Sequence, residues 1–359
     1  GSSITEPSLA IQKCVAAPPL TMMTVNGNSD AAFGASHTSC YTDAVKQDKY
    51  YTLPEVLATK MSDKDLVTVV NSMFDAFGTI TEALRTELVT VADKQSSVFG
   101  DVQLGVDVVA DDLMWEVCKT TPLIKEGASE ETPEVRQMND EGKYAVCWDP
   151  LDGSSIVDNN WAVGTIVGIW PSSTGIIGAT GRDQVTSMVA LYGPRTTAFI
   201  ALDDGVYEFT YGANGVDGWI CSRERIQIAQ KSKLFSPANM RAAQEVEGYN
   251  RLIHHWMENR YTLRYTGGLV PDVCQQFTKG MGIFANPTSG KSPAKLRLTF
   301  EAAPFGLLVE RAGGKTSDGV NGGSILDIEI TGIDQRTPLA IGSASEVDRF
   351  NEMVLGVGN

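Results

Sequence analysis

The chain has 359 residues, of which 42% are hydrophobic and 20% charged, an ordinary composition for a globular protein. Its formal net charge is −15, from 44 acidic and 29 basic residues. Non-specific binding to nucleic acid or to a membrane surface needs a basic surface, so we expect neither partner. No apolar run approaches the roughly 18 residues of a membrane span, so we expect no membrane association.

The charge is spread unevenly along the chain. Residues 231–297 contain ten Lys or Arg and four Asp or Glu, a local charge of +6 that leaves −21 for the rest. An acidic part and a basic part are what a metal site facing a phosphate-binding site needs. A patchy solvated surface explains the counts equally well.

The length favours two packed subdomains or one large α/β unit. Residues 1–40 lack periodicity and are predicted to form a loosely ordered arm, which could reach a neighbouring subunit. We expect an N-terminal α/β subdomain over residues 41–228 and a C-terminal α/β subdomain over residues 229–359.

The first predicted helix follows a capping pattern at residues 62–65, and its apolar stripe runs from Leu66 to Val91. A second helix is predicted from Val106, with Asp107 and Asp111 together beside its apolar face. Strands are predicted at 123–125, 144–148, 165–170, 196–202 and 206–210, with a helix over 184–191.

After residue 228 helical and extended patterns alternate again. Helices are predicted over 241–258 and 270–279, and a third from Phe300 to a stop at Gly313-Gly314. Strands are predicted at 262–265 and 281–285. The fold class is therefore α/β.

The segment Asp149-Pro150-Leu151-Asp152-Gly153-Ser154-Ser155 carries the strongest chemical signal. A turn at the end of a buried strand would bring both carboxylates to the same side of the chain. Their oxygens are the kind of ligand that Mg²⁺ prefers. The Gly-Ser-Ser that follows offers backbone N–H groups at a helix start, which suit phosphate. Taken alone, the segment is also explained by an Asp-Pro turn with a capping serine.

Other acidic residues accompany this segment. Ser129-Glu130-Glu131 lies about 20 residues upstream, Asp101 and Asp107 flank a helix start, and Glu301 is in the first turn of another helix. Each taken alone is explained by a cap or a solvated charge.

Together, these motifs resemble the fructose-1,6-bisphosphatase family, within the lithium-sensitive, metal-dependent sugar phosphatases. The resemblance runs from about Ser62 to the C-terminus and implies a layered α-β-α-β-α fold. The stretches at 149–158, 192–197, 234–241 and 261–272 are most similar to the sedoheptulose-1,7-bisphosphatases of that family.

The resemblance implies two or three Mg²⁺ ions per site, with Mn²⁺ as an alternative. The implied ligands are the side chains of Glu130, Asp149, Asp152 and Glu301 and the backbone carbonyl of Leu151. Asp101 resembles a residue near the outermost metal. Asp107 and Glu131 resemble the pair that holds and deprotonates the attacking water.

The resemblance also implies substrate-binding residues. The reacting phosphate is assigned to Gly153, Ser154 and Ser155, and the distal phosphate and sugar to Asn239, Arg264, Tyr265, Lys295 and Arg297. Arg241 departs from the pattern of fructose-bisphosphatases and is a further candidate for binding phosphate. An arginine at the place of Arg264 reaches across from a neighbouring subunit in this family, which implies a homodimer or homotetramer. For Arg297, an ion pair within the fold is an equally good explanation.

Two departures from fructose-bisphosphatases bear on the sugar. Asn239-Met240-Arg241-Ala242 stands where they have N-E-G-Y, and Phe284-Ala285-Asn286-Pro287 stands where they have F-L-Y-P. The loss of two tyrosines predicts a roomier, more polar pocket. We therefore expect hydrolysis of the 1-phosphate of sedoheptulose 1,7-bisphosphate, with fructose 1,6-bisphosphatase or dual activity as the alternative.

A non-catalytic sugar-phosphate-binding protein is the alternative of another class. Such a protein usually lacks one or more metal ligands, whereas all the expected carboxylates are present in this chain. The six scattered cysteines favour a reducing compartment. We expect a cytoplasmic enzyme of carbohydrate metabolism, with the plastid stroma, after removal of a transit peptide, as the alternative.

Overall fold

The computed structural model describes residues 50–86, 91–96, 102–132 and 134–358. The N-terminal arm predicted over residues 1–40 lies outside these ranges, as does Asp101. Among the described residues, no helix is long and apolar enough to cross a membrane.

The helices each bury apolar side chains. They are α1 (Leu53–Lys60), α2 (Lys64–Thr86), α3 (Gly105–Thr120), α4 (Ser154–Val157), α5 (Glu247–Glu258), α6 (Leu269–Lys279), α7 (Ala303–Arg311) and α8 (Ala344–Phe350). Asp63 caps α2 by accepting the N–H groups of Asp65 and Leu66, at 3.0 and 3.2 Å. The helix predicted over the apolar stripe from Leu66 to Val91 is too long at its C-terminal end, because α2 ends at Thr86 and Val91 begins a strand.

The larger sheet has eight strands in the order β10-β9-β8-β7-β6-β5-β3-β4. Its strands are β3 (Ile124–Ser129), β4 (Arg136–Gln137), β5 (Tyr144–Asp152), β6 (Val163–Pro171), β7 (Thr186–Tyr192), β8 (Thr196–Leu202), β9 (Gly205–Tyr211) and β10 (Trp219–Ile226). Strands β1 (Val91–Ser96) and β2 (Val102–Leu104) form a separate antiparallel pair. Strands β3 and β5 run parallel, so Ser129, the last residue of β3, lies beside Trp148 of β5.

The helix predicted over 184–191 is wrong, because Thr186–Tyr192 is strand β7. This strand pairs with β6 on one side and β8 on the other, and all its residues except Leu191 are buried. A strand covered on both faces carries apolar residues without alternation, so its pattern cannot be distinguished from that of a short buried helix.

The smaller sheet has the order β12-β11-β13-β15-β14. Its strands are β11 (Leu234–Pro237), β12 (Thr262–Leu263), β13 (Ile283–Asn286), β14 (Lys315–Ser317) and β15 (Leu339–Gly342). The helix predicted from residue 241 begins later, because Met240–Gln244 is a 3₁₀ turn and α5 starts at Glu247. The helix predicted from Phe300 includes a π-helical turn, Leu298–Ala302, before α7.

Successive side chains of β5 point into two different cores, one on each face of the strand, and this shows the order of the layers. Val146 and Trp148 face the core that includes α2 and α3, whereas Ala145 and Cys147 face the core that includes α6 and α7. That second core also contains Phe284 and Ile341 of the smaller sheet. A third core packs α5 and α8 on the other face of the smaller sheet. The layers therefore run α-β-α-β-α, which confirms the predicted fold class.

Candidate functional site

A bulge at the end of β5 brings two carboxylates to the same place. The pairing of β5 with β6 shifts between Asp149, opposite Ile166, and Asp152, opposite Gly164, so three steps on one strand match two on the other. In a regular strand, residues three apart would point to opposite faces, and the extra residue cancels that alternation. The N–H of Leu151 donates to Asp149 Oδ1 at 3.0 Å and fixes the turn.

Glu301 completes this cluster from a different part of the chain. It lies in the π-helical turn before α7, where its carboxylate accepts the backbone N–H of Arg297. One carboxylate oxygen from each of Asp149, Asp152 and Glu301 lies within 4.8 Å of the other two. The three side chains are only 5, 9 and 7% exposed.

Burial and mutual repulsion make the carboxylate cluster costly to ionise. Burial raises the pKa of Asp149, and of Glu301, well above the usual range, and the nearby charge of Glu130 raises both further. For Asp152, burial raises the pKa to about 7, although the N–H groups of Leu269 and Val270 donate to its carboxylate, at 3.2 and 2.6 Å, and lower the pKa. A divalent cation would relieve this repulsion, and clustered carboxylate oxygens are the ligands that Mg²⁺ prefers.

The Ser129-Glu130-Glu131 turn follows β3 and adds two more carboxylates. The Glu130 N–H donates to the carbonyl of Trp148 at 3.0 Å, which holds the turn beside the strand that leads to Asp149. The charges of Glu130 and Glu131 both raise the pKa of Asp149. The charges of four acidic side chains therefore act on the fifth, Asp149: they are Glu130, Glu131, Asp152 and Glu301.

Asp107 lies in the first turn of α3 and is 2% exposed. It is on the same helix as Asp111, whose carboxylate accepts a hydrogen bond from Ser129 at 2.5 Å. The helix that carries Asp107 is thereby joined to the turn that carries Glu130 and Glu131.

A pocket of about 500 Å³ opens beside the carboxylates. From the metal-site segments it is lined by Asp152, Gly153, Ser154, Ser155 and Glu301. From the basic segment it is lined by Asn239, Arg241, Tyr265, Lys291 and Lys295. One cavity thus holds both acidic groups and cations.

Hydrogen bonds from the C-terminal half order the basic part of the pocket. The Asn239 side-chain amide donates to the carbonyls of Pro287 and Ser292, both at 2.8 Å. The backbone N–H of Lys291 donates to Glu245 at 3.0 Å. These bonds hold the loop on which Lys291 and Lys295 are carried.

The loop that carries Tyr265 is fixed from α6. Buried Asp272 accepts the N–H groups of Thr266 and Gly267, at 2.7 and 3.0 Å. Burial raises the Asp272 pKa to about 6. The Tyr265 side chain stays 46% exposed at the pocket.

Two arginines predicted to bind substrate are not among the residues that line the described pocket. Arg264 is exposed, and its backbone pairs with Phe235 at 3.0 Å. Arg297 is 3% exposed and lies 3.7 Å from the Glu130 carboxylate. The Arg297 contact is the ion pair within the fold that the sequence left open as an alternative.

Lys291 is a pocket residue that sequence reasoning did not single out. Its place within the basic segment 231–297 was the available signal, but a lysine in a Gly-Pro-rich loop gives no pattern of its own. The interactions of Asp111 were also not predicted, because they join residues 18 and 37 positions apart in the chain.

Comparisons with known proteins agree with this architecture. The model of the fructose-1-6-bisphosphatase N-terminal domain matches residues 51–224, and the model of the C-terminal domain matches residues 228–355. The chain is 40% identical to sedoheptulose-1,7-bisphosphatase, chloroplastic, of Spinacia oleracea over 371 aligned residues, covering 99% of this chain and 94% of the relative.

A class 1 fructose-1,6-bisphosphatase of Pelobacter propionicus is 38% identical, over 81% of this chain and 88% of the relative. Among solved structures, a candidate sedoheptulose-1,7-bisphosphatase of Toxoplasma gondii has a TM-score of 0.79 and 41% identity, over 85% of this chain and 98% of that one. Both family models and full-length relatives therefore match, and the chain belongs to the fructose-1,6-bisphosphatase family.

Proposed function

We propose that this protein is a magnesium-dependent sugar bisphosphatase that removes the 1-phosphate of sedoheptulose 1,7-bisphosphate. The observation that carries the proposal is the single pocket that joins the carboxylate cluster of Asp152 and Glu301 to the cations of Arg241, Lys291 and Lys295. A substrate with a phosphate at each end needs both kinds of group in one cavity.

The acidic end would hold the metal. We assign Glu130, Asp149, Asp152 and Glu301 as side-chain ligands and Leu151 as a backbone ligand. The close approach of the buried carboxylates supports this assignment, because a bound cation can replace the protons that these groups otherwise retain and offset their charge. When bound, Mg²⁺ lowers the pKa of water and neutralises charge on the phosphate that is transferred.

The remaining acidic residues would act as the base for the attacking water. We assign Asp107 and Glu131 to orient the attacking water and accept its proton. Gly153, Ser154 and Ser155 line the pocket directly after Asp152, where their backbone and hydroxyl donors would orient the reacting phosphate. The attack would then displace the sugar oxygen from phosphorus.

The basic end would bind the distal phosphate. Arg241 and Lys291 line the pocket, and among the described residues neither forms an ion pair with a carboxylate. Two cations on a pocket wall without a paired carboxylate favour an anionic ligand. Asn286 lines the pocket and stands where fructose-bisphosphatases have a tyrosine, which supports a seven-carbon sugar over a six-carbon one. Ala242, at the position of the other tyrosine, is buried and is not among the residues that line the pocket.

Arg264 remains assigned to the site of a second subunit. Its exposure, and its place outside the pocket of its own chain, are compatible with a contact across a homodimer or homotetramer. Between the two compartments expected, the chloroplastic name of the spinach relative favours the plastid, and the substrate fits the Calvin cycle.

The direct test is phosphate release from sedoheptulose 1,7-bisphosphate, with the product identified by ³¹P NMR. We expect sedoheptulose 7-phosphate in the presence of Mg²⁺, no turnover after chelation, and inhibition by Li⁺. Phosphate release that continues in excess chelator would contradict the metal assignment. Release of the 7-phosphate would contradict the orientation of the substrate.

A further inference from the structure

A buried carboxylate outside the predicted metal site accepts three hydrogen bonds. Asp111 on α3 is 8% exposed. Its Oδ1 accepts the Ser129 hydroxyl at 2.5 Å and the Trp148 indole N–H at 2.9 Å, and its Oδ2 accepts the Trp115 indole N–H at 3.1 Å. Indole N–H groups only donate, so both tryptophan contacts need an acceptor at this position, and each carboxylate oxygen serves one of them.

The residues that donate to Asp111 adjoin the acidic residues of the site. Ser129 immediately precedes Glu130, and Trp148 immediately precedes Asp149. Asp111 itself follows Asp107 by one helical turn. One carboxylate therefore joins three separate segments that carry predicted ligands and bases.

The contacts continue into the backbone of the acidic turn. The Glu131 N–H donates to Ser129 Oγ at 3.2 Å, and this hydroxyl donates in turn to Asp111. The position of the Glu130-Glu131 turn therefore depends on Ser129 being held by Asp111.

Aromatic packing around Trp115 holds the same group from the side. The Trp115 and Trp148 rings meet edge to face with centroids 4.6 Å apart. The Arg136 guanidinium lies 4.7 Å from the centre of the Trp115 ring. Both contacts restrict the indole whose N–H donates to Asp111.

We propose that Asp111 is a positioning residue for the metal site, acting through Ser129 and Trp148. This inference rests on the proposed function. Carboxylates that repel one another move apart unless the segments that carry them are held, and the Asp111 contacts hold the residues immediately before Glu130 and Asp149. Partners behind metal ligands typically change metal affinity or activity about 10- to 100-fold when removed.

The variant Asp111→Asn tests this role with almost no change in shape. Its single amide oxygen can accept either from Ser129 and Trp148 or from Trp115. In either orientation the NH₂ group points at an indole N–H, and this repulsion displaces the side chain from the position to which Ser129 and Trp148 donate. Trp115→Phe removes the Trp115 N–H and leaves the amide oxygen to Ser129 and Trp148, so we expect the double variant to recover metal affinity relative to Asp111→Asn alone. Asp112→Asn, an exposed carboxylate next in the chain, is the matched control.

The readout is Mn²⁺ binding to the full chain without substrate, followed by the EPR signal of free Mn²⁺, together with thermal unfolding. We expect Asp111→Asn to weaken Mn²⁺ binding about tenfold or more and Asp112→Asn to change it less than twofold. An affinity within twofold of wild type in folded Asp111→Asn would overturn the proposal. Equal losses in the single and double variants would also overturn it, because Asp111 would then act through packing alone.

Ser129→Ala carries the test if Asp111→Asn does not fold. It removes the hydroxyl that links Asp111 to the Glu131 backbone, so the same weakening is expected. Wild-type Mn²⁺ affinity in folded Ser129→Ala would overturn the proposal.

The outcome is separable from that of the proposed function. A wild-type protein that binds Mn²⁺ but releases no phosphate would refute the phosphatase proposal, while the Mn²⁺ titrations would still decide the role of Asp111.

Discussion

Removing one charge from the carboxylate cluster should stabilise the metal-free protein, and more strongly at higher pH. Asp152 is 9% exposed, and burial raises its pKa from 3.8 to about 7. The folded state therefore holds the proton more tightly than the unfolded state. The free energy of unfolding then falls as the pH rises from about 4 to 7, and the full penalty is present above pH 7.

The size of the effect follows from the Asp152 pKa shift. Each pKa unit is worth about 1.4 kcal/mol, so the penalty at pH 8 is about 4 kcal/mol. About 2 kcal/mol of this penalty develops between pH 5.5 and pH 8. The rest is already present at pH 5.5, because at that pH Asp152 is ionised in the unfolded chain but still protonated in the folded protein. Asp152→Asn lacks this charge, so its stability relative to wild type should rise by about 2 kcal/mol over that interval.

Comparing two pH values removes a competing cost. In Asp152→Asn the amide oxygen can accept the N–H of Leu269 or of Val270, and its NH₂ then faces the other donor. That loss is the same at both pH values and cancels in the difference.

The measurement is urea unfolding of chelator-treated wild type and Asp152→Asn, followed by tryptophan fluorescence at pH 5.5 and pH 8. A difference in unfolding free energy between the two proteins that stays constant with pH would refute the electrostatic account. It would mean that Asp152 is not forced to ionise at a cost in the folded protein.

Further predictions concern metal, catalysis and substrate. Mg²⁺ should raise the melting temperature more at pH 8 than at pH 6, because protons compete for carboxylates such as Asp152, whose pKa is about 7; an equal rise would contradict a carboxylate site. Asp149→Asn should lower kcat at least about 10³-fold with an unchanged circular dichroism spectrum, and retained turnover would place the metal elsewhere. Arg241→Gln and Lys291→Gln should each raise KM about tenfold or more with kcat nearly unchanged. The control Lys231→Gln lies outside the pocket and should leave KM unchanged. Equal KM values in all three variants would mean that the distal phosphate does not bind to Arg241 and Lys291.

The α/β class could be predicted from the sequence because most of its elements carry a clear period, whereas the layered α-β-α-β-α arrangement was implied by the family resemblance. The apolar stripe of α2 has the helical period and specifies a helix. Strand β7 could not be recognised, because it is covered on both faces by other elements and loses the alternation that marks a strand. The secondary structure of such a segment is determined by tertiary packing, which the local sequence pattern does not show.

The acidic residues of the cluster were singled out from the sequence because together they match the pattern of one family. Their approach depends on features that no local pattern gives: the bulge between Asp149 and Asp152, and the π-helical turn that carries Glu301. Lys291 and the contacts of Asp111 depend on long-range folding alone, which is why motif reading missed them.

The central claim is tested most directly by kcat/KM for sedoheptulose 1,7-bisphosphate and fructose 1,6-bisphosphate, measured with the same Mg²⁺-loaded protein. We expect turnover of both sugars, with the higher kcat/KM for the seven-carbon substrate. A higher value for fructose 1,6-bisphosphate would contradict the substrate proposal, and no phosphate release from either sugar would contradict the phosphatase itself.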